Sequence, residues 1–231
     1  MPLNKQHKTA ILIFANSSQE EVKLKPIANG EKLFDILTAK TLDTVSKSKL
    51  PYFHFTEQQQ KGISFGERFT NAIVSILNMG FENVITIGND SPQLTVRHII
   101  EAERQLHQEK FVLGPSTDGG FYLMGISKSQ FNASTFETLA WQSSILSKQL
   151  IDVVAKANIT IVTLNTLFDI DSIQDIKSII SYAHQLPKAL LKEFLFVINS
   201  AKYISSESSL LYTNQYSRTF HNKGSPLTIQ A

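Results

Sequence analysis

The sequence predicts an α/β protein, a parallel sheet wrapped by helices. Three observations carry this. Apolar, β-branched runs alternate with longer segments of helical period, the pattern left when each strand is returned to the sheet by a helix. The runs "AILIFA" and "NVITI" are strongly apolar, as buried strands are. In "FGERFTNAIVSILNM", Phe69, Ile73, Ile76 and Leu77 fall on one helical face, as a helix packed on a sheet requires.

Taken in order, the predicted strands are Ala10–Ala15, Tyr52–Phe55, Asn83–Gly88, Phe111–Gly114, Phe121–Ile126 and Ile159–Leu164. The predicted helices are Glu31–Ser46, Phe65–Met79, Thr95–Gln108, Ser143–Ala157 and Ser172–Gln185. The breaks between them are short and carry Gly, Pro, Asn or Ser, so residues 1–186 read as one domain without a linker. After Pro187, "PKALLKEFLFVINSAKY" is an amphipathic helix with Pro at its start. The following Ser/Thr-rich tail is weakly periodic. It is read as docking on the core, reaching a partner or being partly disordered. Residues 187–231 are thus an extension, with self-association as one role for it.

Composition narrows the chemistry. Of 231 residues, 22 are basic and 20 acidic, a net charge of +2. That balance lacks the dense basic face that nucleic-acid binding needs. There is no Cys, which excludes disulfides, thiolate nucleophiles and Cys-ligated metals. The six His residues show no paired zinc spacing, so a bound metal is expected to take oxygen ligands, as Mg²⁺, Mn²⁺ or Ca²⁺ does. No run approaches the ~18 to 20 apolar residues of a membrane span. "AILIFA" is too short, and too poorly followed by a cleavage site, for a signal peptide. A cytoplasmic protein is expected.

Four loops stand out, each following or closing a strand. "NSSQEEVKLKPIANGEK" places Lys23 and Lys25 where a βα loop meets phosphates, or where a basic loop is simply solvated. "IGNDSPQLT" puts Asp90 two residues past a buried strand, at the edge where open α/β sheets bind ligands. Asp90 there holds a divalent cation or, alternatively, caps the turn. "GPSTDGGFYLMGI" has Asp118 before Gly119 and Gly120. This loop either passes close under a ligand or makes a tight hairpin-like turn. In "FDIDSIQDI", Asp169 and Asp171 leave the same side of an extended segment. They serve as metal ligands or as turn formers, while Ser172 and Asp175 cap the next helix. Trp141, the only Trp, either lines a pocket or packs in the core.

In order along the chain, these stretches resemble a known family. Gly88, Asp90, Pro92 and Leu94 match a Gly-x-Asp-x-Pro-x-Leu loop. Gly114, Pro115, Asp118, Gly119, Gly120, Phe121, Tyr122, Leu123 and Gly125 match a Gly-Pro-x-x-Asp-Gly-Gly-aromatic-Tyr-Leu-x-Gly block. Trp141 matches a downstream Trp, and Asp169, Asp171, Ser172 and Asp175 match an acidic ending. "GERF", Gly66 to Phe69, echoes a Gly-x-Arg pattern. On these residues the chain resembles the bacterial glycosyltransferase-A-like family of radical-SAM/selenodomain-associated transferases, within the nucleotide-diphospho-sugar transferase superfamily.

The resemblance implies a Rossmann-like three-layer α/β/α sandwich with a mixed, mostly parallel sheet. It implies a transferase using a nucleotide or nucleotide-sugar with Mg²⁺ or Mn²⁺, glycosyl or nucleotidyl transfer being the alternatives. A non-catalytic nucleotide-binding relative is the third. By the same analogy Asp90 is a metal ligand with Asp171 or Asp169 as a second, and Asp118 with Gly119 and Gly120 lies under the sugar or acceptor. Asp90 and Asp118 are the catalytic candidates. Lys23, Lys25, Asn89, Ser91, Pro92 and Trp141 are the binding candidates. The first loop departs from the family pattern of Gly followed by Lys-Thr-Arg-Leu. "EEVKLKPI" has neither the Gly nor the Arg. Lys23 stands at the Lys position and Lys25 replaces the Arg, which removes a planar fork from phosphate binding.

Overall fold

The structure, a computed structural model, describes residues 8–25 and 27–200. At its centre lie β1 (Thr9–Phe14) and β3 (Asn83–Ile87), and every residue of β3 is buried. They are joined by β2 (Tyr52–Phe55), β4 (Phe111–Pro115), β5 (Phe121–Ser127) and β6 (Ile161–Thr163) in the order β2-β1-β3-β5-β4-β6. β1 pairs in parallel with β2 and β3, and β4 in parallel with β6. β5 alone opposes its neighbours, lying antiparallel between β3 and β4. The mixed, mostly parallel sheet expected from the sequence is present.

Alternate side chains of the central strands explain why the strands read as continuously apolar. Ala10 and Leu12 of β1 point to one face, against Phe69, Ile73 and Ile76 of α3 (Phe65–Asn78) and Leu150 of α6 (Leu146–Lys156). Ile11 and Ile13 point to the other face, against Val45 of α2 (Glu31–Lys47) and Ile99, Ala102 and Leu106 of α4 (Val96–Leu106). With both faces covered, most positions gain from apolar burial, and the buried polar Thr86 and Asn83 are satisfied by hydrogen bonds to the Met124 carbonyl and to the Thr9 hydroxyl.

Two short helices, α1 (Ser18–Leu24) and α5 (Ala133–Glu137), occur where the sequence suggests only loops. Seven residues are too few for a recognisable period, and α1 forms through its ends. The Ser17 hydroxyl caps it, and Glu57 accepts from both the Ser17 amide and hydroxyl at 2.8 and 2.9 Å. The predicted helix Ser172–Gln185 stops earlier. It divides into α7 (Ile173–Ile179), opened by a Ser172–Asp175 capping box, and a 3₁₀ segment Ile180–Gln185.

A third apolar cluster joins α2, α7 and the helix α8 (188–200). Leu190, Phe194 and Val197 of α8 pack with Phe34 and Leu37 of α2 and with Ile176 and Ile179 of α7. The part of the extension before residue 201 therefore seals the base of α2. The expected roles of the tail, residues 201–231, lie outside the described residues. No helix among the described residues is long and apolar enough to cross a membrane.

The chain leaves β1 for β2 on one side and returns to β3 on the other. The loops after β1 and β3 therefore diverge and open a crevice at the carboxyl edge, the usual ligand position in such sheets. If α8 is part of the core, Phe194→Ala should cost about 3–5 kcal/mol. Urea unfolding should show a lowered midpoint at unchanged slope, and an unaltered midpoint would make α8 an appendage.

Candidate functional site

The crevice is a cleft of about 790 Å³, within the usual range for small-ligand sites. Five carboxylates line one side of it, Glu21, Asp90, Asp118, Asp169 and Asp171, with Lys25 among them, while the second cation, Arg68, lies over the Phe65 ring. The other side is aromatic, built from Phe14, Phe65, Phe69, Phe121 and Trp141.

Lys25 organises the acidic side. It sits at the carboxyl end of α1, which turns its side chain inward until only 15% of it is exposed. Its ammonium lies 2.8 Å from Asp90 Oδ2, 2.8 Å from Asp171 Oδ1 and 3.2 Å from the Ile170 carbonyl oxygen. The contacts to Asp90 and the Ile170 carbonyl are hydrogen bonds, and that to Asp171 is an ion pair. Glu21 Oε2 adds an ion pair at 3.6 Å, and the Phe34 ring lies 5.7 Å away. Burial by itself would push the Lys25 ammonium down. The carboxylates of Asp90, Glu21 and Asp171 outweigh it, so the group is held above its ordinary range and stays charged. Burial pushes the Asp171 and Glu21 carboxyls up, with Lys25 opposing in both cases.

Asp118, Asp169 and Asp171 form a second group, each offering a carboxylate oxygen within 4.8 Å of the others. Asp118 sits in the β4–β5 hairpin, where it accepts from the Ser116 hydroxyl at 2.5 Å and the Gly120 amide at 2.8 Å. Burial opposes its ionisation, but these donors hold its carboxyl below the ordinary value. Gly119 has φ +93°, and a Cβ there would run into the Ser144 backbone, so the hairpin needs glycine. Asp169 is 9% exposed and accepts from the Thr117 hydroxyl at 3.2 Å. Burial, then the charges of Asp118, Asp90 and Asp171, push its carboxyl from 3.8 to about 7. Three oxygen donors at this spacing suit a hard divalent cation. The residues present therefore fit the expected Mg²⁺ or Mn²⁺, which would neutralise phosphate charge there.

Main-chain bonds fix these loops relative to one another. The Ile170 amide donates to the Asp90 carbonyl at 3.0 Å, and the Thr117 amide to the Leu167 carbonyl at 3.1 Å. Asn89 is buried and donates from its side chain to the Thr38 hydroxyl of α2 at 2.8 Å. Ser91 is also buried, and its hydroxyl has no partner among the described residues.

Trp141 satisfies both of its sequence readings. It lines the cleft, yet its indole N–H donates to the Phe136 carbonyl at 2.6 Å and its ring packs 4.8 Å from Phe69 and 5.3 Å from Phe65. Gly66 lets α3 approach that ring, because a Cβ there would lie 2.7 Å from Trp141 Cδ1.

The structure thus brings together Lys25, Asn89, Asp90, Ser91, Asp118, Gly120, Trp141, Asp169 and Asp171 as cleft-lining residues. It does not bring Lys23, whose ammonium pairs with Glu20 at 2.7 Å on the outside of α1. Pro92 and Gly119 shape their turns without lining the cleft. Asp118, rather than Asp90, groups with Asp169 and Asp171. Sequence reasoning missed Glu21, Phe65 and Arg68. The Gly-x-Arg pattern was a signal for Arg68, which lines the cleft and donates to the Ile63 carbonyl at 3.0 Å. Glu21 gave no signal, because it is placed by a helix too short to read.

Fold and site together define a protein with the nucleotide-diphospho-sugar transferase fold. The chain superposes with a TM-score of 0.72 on a protein of Desulfovibrio desulfuricans G20 provisionally named a nucleotide-diphospho-sugar transferase, at 18% identity over 84% of this chain and 98% of that one. It is also similar to the 4-diphosphocytidyl-2C-methyl-D-erythritol synthase of Anaerococcus prevotii DSM 20548, with a TM-score of 0.50 and 12% identity over 76% of this chain and 98% of that one. A family model described as an uncharacterized protein conserved in bacteria, DUF2064, matches residues 35–143. That span contains Asp90, Asp118 and Trp141. No curated protein matches the sequence.

Asp169 makes a pH dependence. Its raised value means that folding favours the protonated carboxyl. The associated stability is complete below about pH 4 and is lost as pH rises through about 7. Without metal, the melting temperature should therefore decline between those values, and Asp169→Asn should flatten the decline. Parallel wild-type and variant curves would remove Asp169 from the account.

Proposed function

We propose that the chain is a cytoplasmic, divalent-cation-dependent transferase that takes a nucleoside-diphosphate sugar as donor and transfers the glycosyl group. One observation carries the reading: three convergent carboxylates face an aromatic wall across a nucleotide-sized cleft at the diverging strand ends. Asp118, Asp169 and Asp171 would hold Mg²⁺ or Mn²⁺, whose charge offsets that of the donor diphosphate. Phe65, Phe69 and Trp141 give an apolar face for a ring of donor or acceptor. Arg68, at the edge of that face, is the cleft cation not committed to a carboxylate.

The charge balance favours glycosyl over nucleotidyl transfer. Five carboxylates face two cations, and a nucleoside triphosphate brings more negative charge than a diphosphate sugar into that field. Nucleotidyl transfer is the second reading, supported by the similarity in fold to a diphosphocytidyl-compound synthase.

In a thermal-shift panel, one nucleotide or nucleotide-sugar with Mn²⁺ or Mg²⁺ should raise the melting temperature by about 5–10 °C near a hundredfold excess over Kd. Asp118→Asn and Asp171→Asn should each abolish the metal-dependent part. A panel without any metal-dependent shift would leave a non-catalytic relative. Release of nucleoside diphosphate from the bound donor supports glycosyl transfer, and pyrophosphate release supports nucleotidyl transfer.

A further inference from the structure

Asp90 stands where the sequence places a metal ligand, yet a cation is already there. The Lys25 ammonium bridges Asp90 and Asp171 at 2.8 Å each, donates to the Ile170 carbonyl at 3.2 Å and has Glu21 at 3.6 Å. Three carboxylates already surround the ammonium, so a phosphate approaching it would meet like charge, and this lysine is not built as a phosphate grip. The position is not an accident of a long exposed chain. The side chain is 15% exposed, and the carbonyl that completes its shell is itself fixed, because the Ile170 amide donates to the Asp90 carbonyl.

We propose that Lys25 is the resident cation of the Asp90–Asp171 pair, substituting for a metal ion at that position. Asp90 then anchors the ammonium and is not a metal ligand. A divalent ion is restricted to the neighbouring Asp118, Asp169 and Asp171 oxygens, where Asp171 is shared between the two cations. Lys25 is a positioning residue. It holds the loop after β3 against the loop before α7, and it supplies one fixed positive charge beside the position of the exchangeable ion. A site designed for two exchangeable charges would leave Asp90 open. This one spends it on an internal group whose charge cannot be diluted away. The inference rests on the proposed use of a divalent ion only for the part that concerns Asp118 and Asp169.

Mn²⁺ binding without nucleotide, followed by the electron paramagnetic resonance of free Mn²⁺, tests it. Removing one positive charge strengthens binding of any nearby cation, so Lys25→Met alone decides nothing about position. The deciding comparison is Asp90→Asn in two backgrounds. With Lys25 present, Asp90→Asn removes one negative charge from the field and should weaken Mn²⁺ binding no more than Glu21→Gln, the control carboxylate beside the same ammonium. In Lys25→Met, which should bind Mn²⁺ at least about tenfold more tightly than wild type, Asp90→Asn should abolish that gain. A loss on Asp90→Asn about tenfold or more beyond that of Glu21→Gln, with Lys25 in place, would overturn the proposal, since Asp90 would then ligate the metal directly. So would the absence of any gain in Lys25→Met.

If wild type binds no Mn²⁺ but Lys25→Met does, the resident-cation proposal stands and the metal-dependent reading of the function fails. If neither binds, both fail. Should Lys25→Met not fold, nuclear magnetic resonance of the lysine ammonium groups in wild type gives the answer, with Lys25→Arg providing the assignment. Saturating Mg²⁺ should leave the Lys25 ammonium signal at its ion-paired shift. Movement to the shift of a free surface lysine would show that the metal displaces it.

Discussion

The ion-pair node at Lys25 is the constraint on which the site depends. Residues 21 and 25, residue 90 and residues 170 and 171 come from three distant parts of the chain, and one ammonium binds all three. Without it, Asp90, Asp169, Asp171 and Glu21 would crowd together at short range. Like charges 4 Å apart cost on the order of 4 kcal/mol each near a protein surface. Such a node is worth more for geometry than for net stability. Burying the charges offsets much of their attraction, whereas removing one partner leaves the others uncompensated.

The sheet explains why these groups meet at all. β5 runs against its neighbours, so the β4–β5 hairpin delivers Asp118 to the same edge as the ends of β1 and β3. The chain leaving β6 crosses behind that hairpin, held by the Ser116–Leu167 bridge, and brings Asp169 and Asp171 alongside. A fully parallel sheet would have to return after β4 through a helix on the far side, and Asp118 would be lost from the cluster.

Within the cleft the aromatic rings and the carboxylates have different origins. The α3 and α6 side supplies Phe65, Phe69 and Trp141, continuous with the apolar layer beneath them. The carboxylates come from α1 (Glu21), the loop after β3 (Asp90), the β4–β5 hairpin (Asp118) and the segment before α7 (Asp169 and Asp171), continuous with capped helix ends and loop amides that satisfy polar groups. A ligand with a planar or apolar part and a charged, cation-binding part meets both at once. This is the physical content of the transferase reading.

The sequence by itself determined the layered α/β architecture, because buried strands and one-faced helices follow from periodicity, and periodicity is local. It also identified Asp90, Asp118, Asp169 and Asp171, because acidic residues at strand ends stand out against apolar runs. It determined the Ser172–Asp175 cap, whose bonds span only three residues. The tertiary structure alone decided which acids form a set. Asp90 reads as the leading metal ligand in the chain, but its partner is Lys25, sixty-five residues away. Likewise, Lys23 and Lys25 are equivalent in the sequence. Only the turn of α1, fixed by a cap and by Glu57 from another strand's loop, sends one outward to Glu20 and the other inward to the carboxylates. Local pattern sets which residues can ionise at an edge, while the direction of a short helix sets which charges meet.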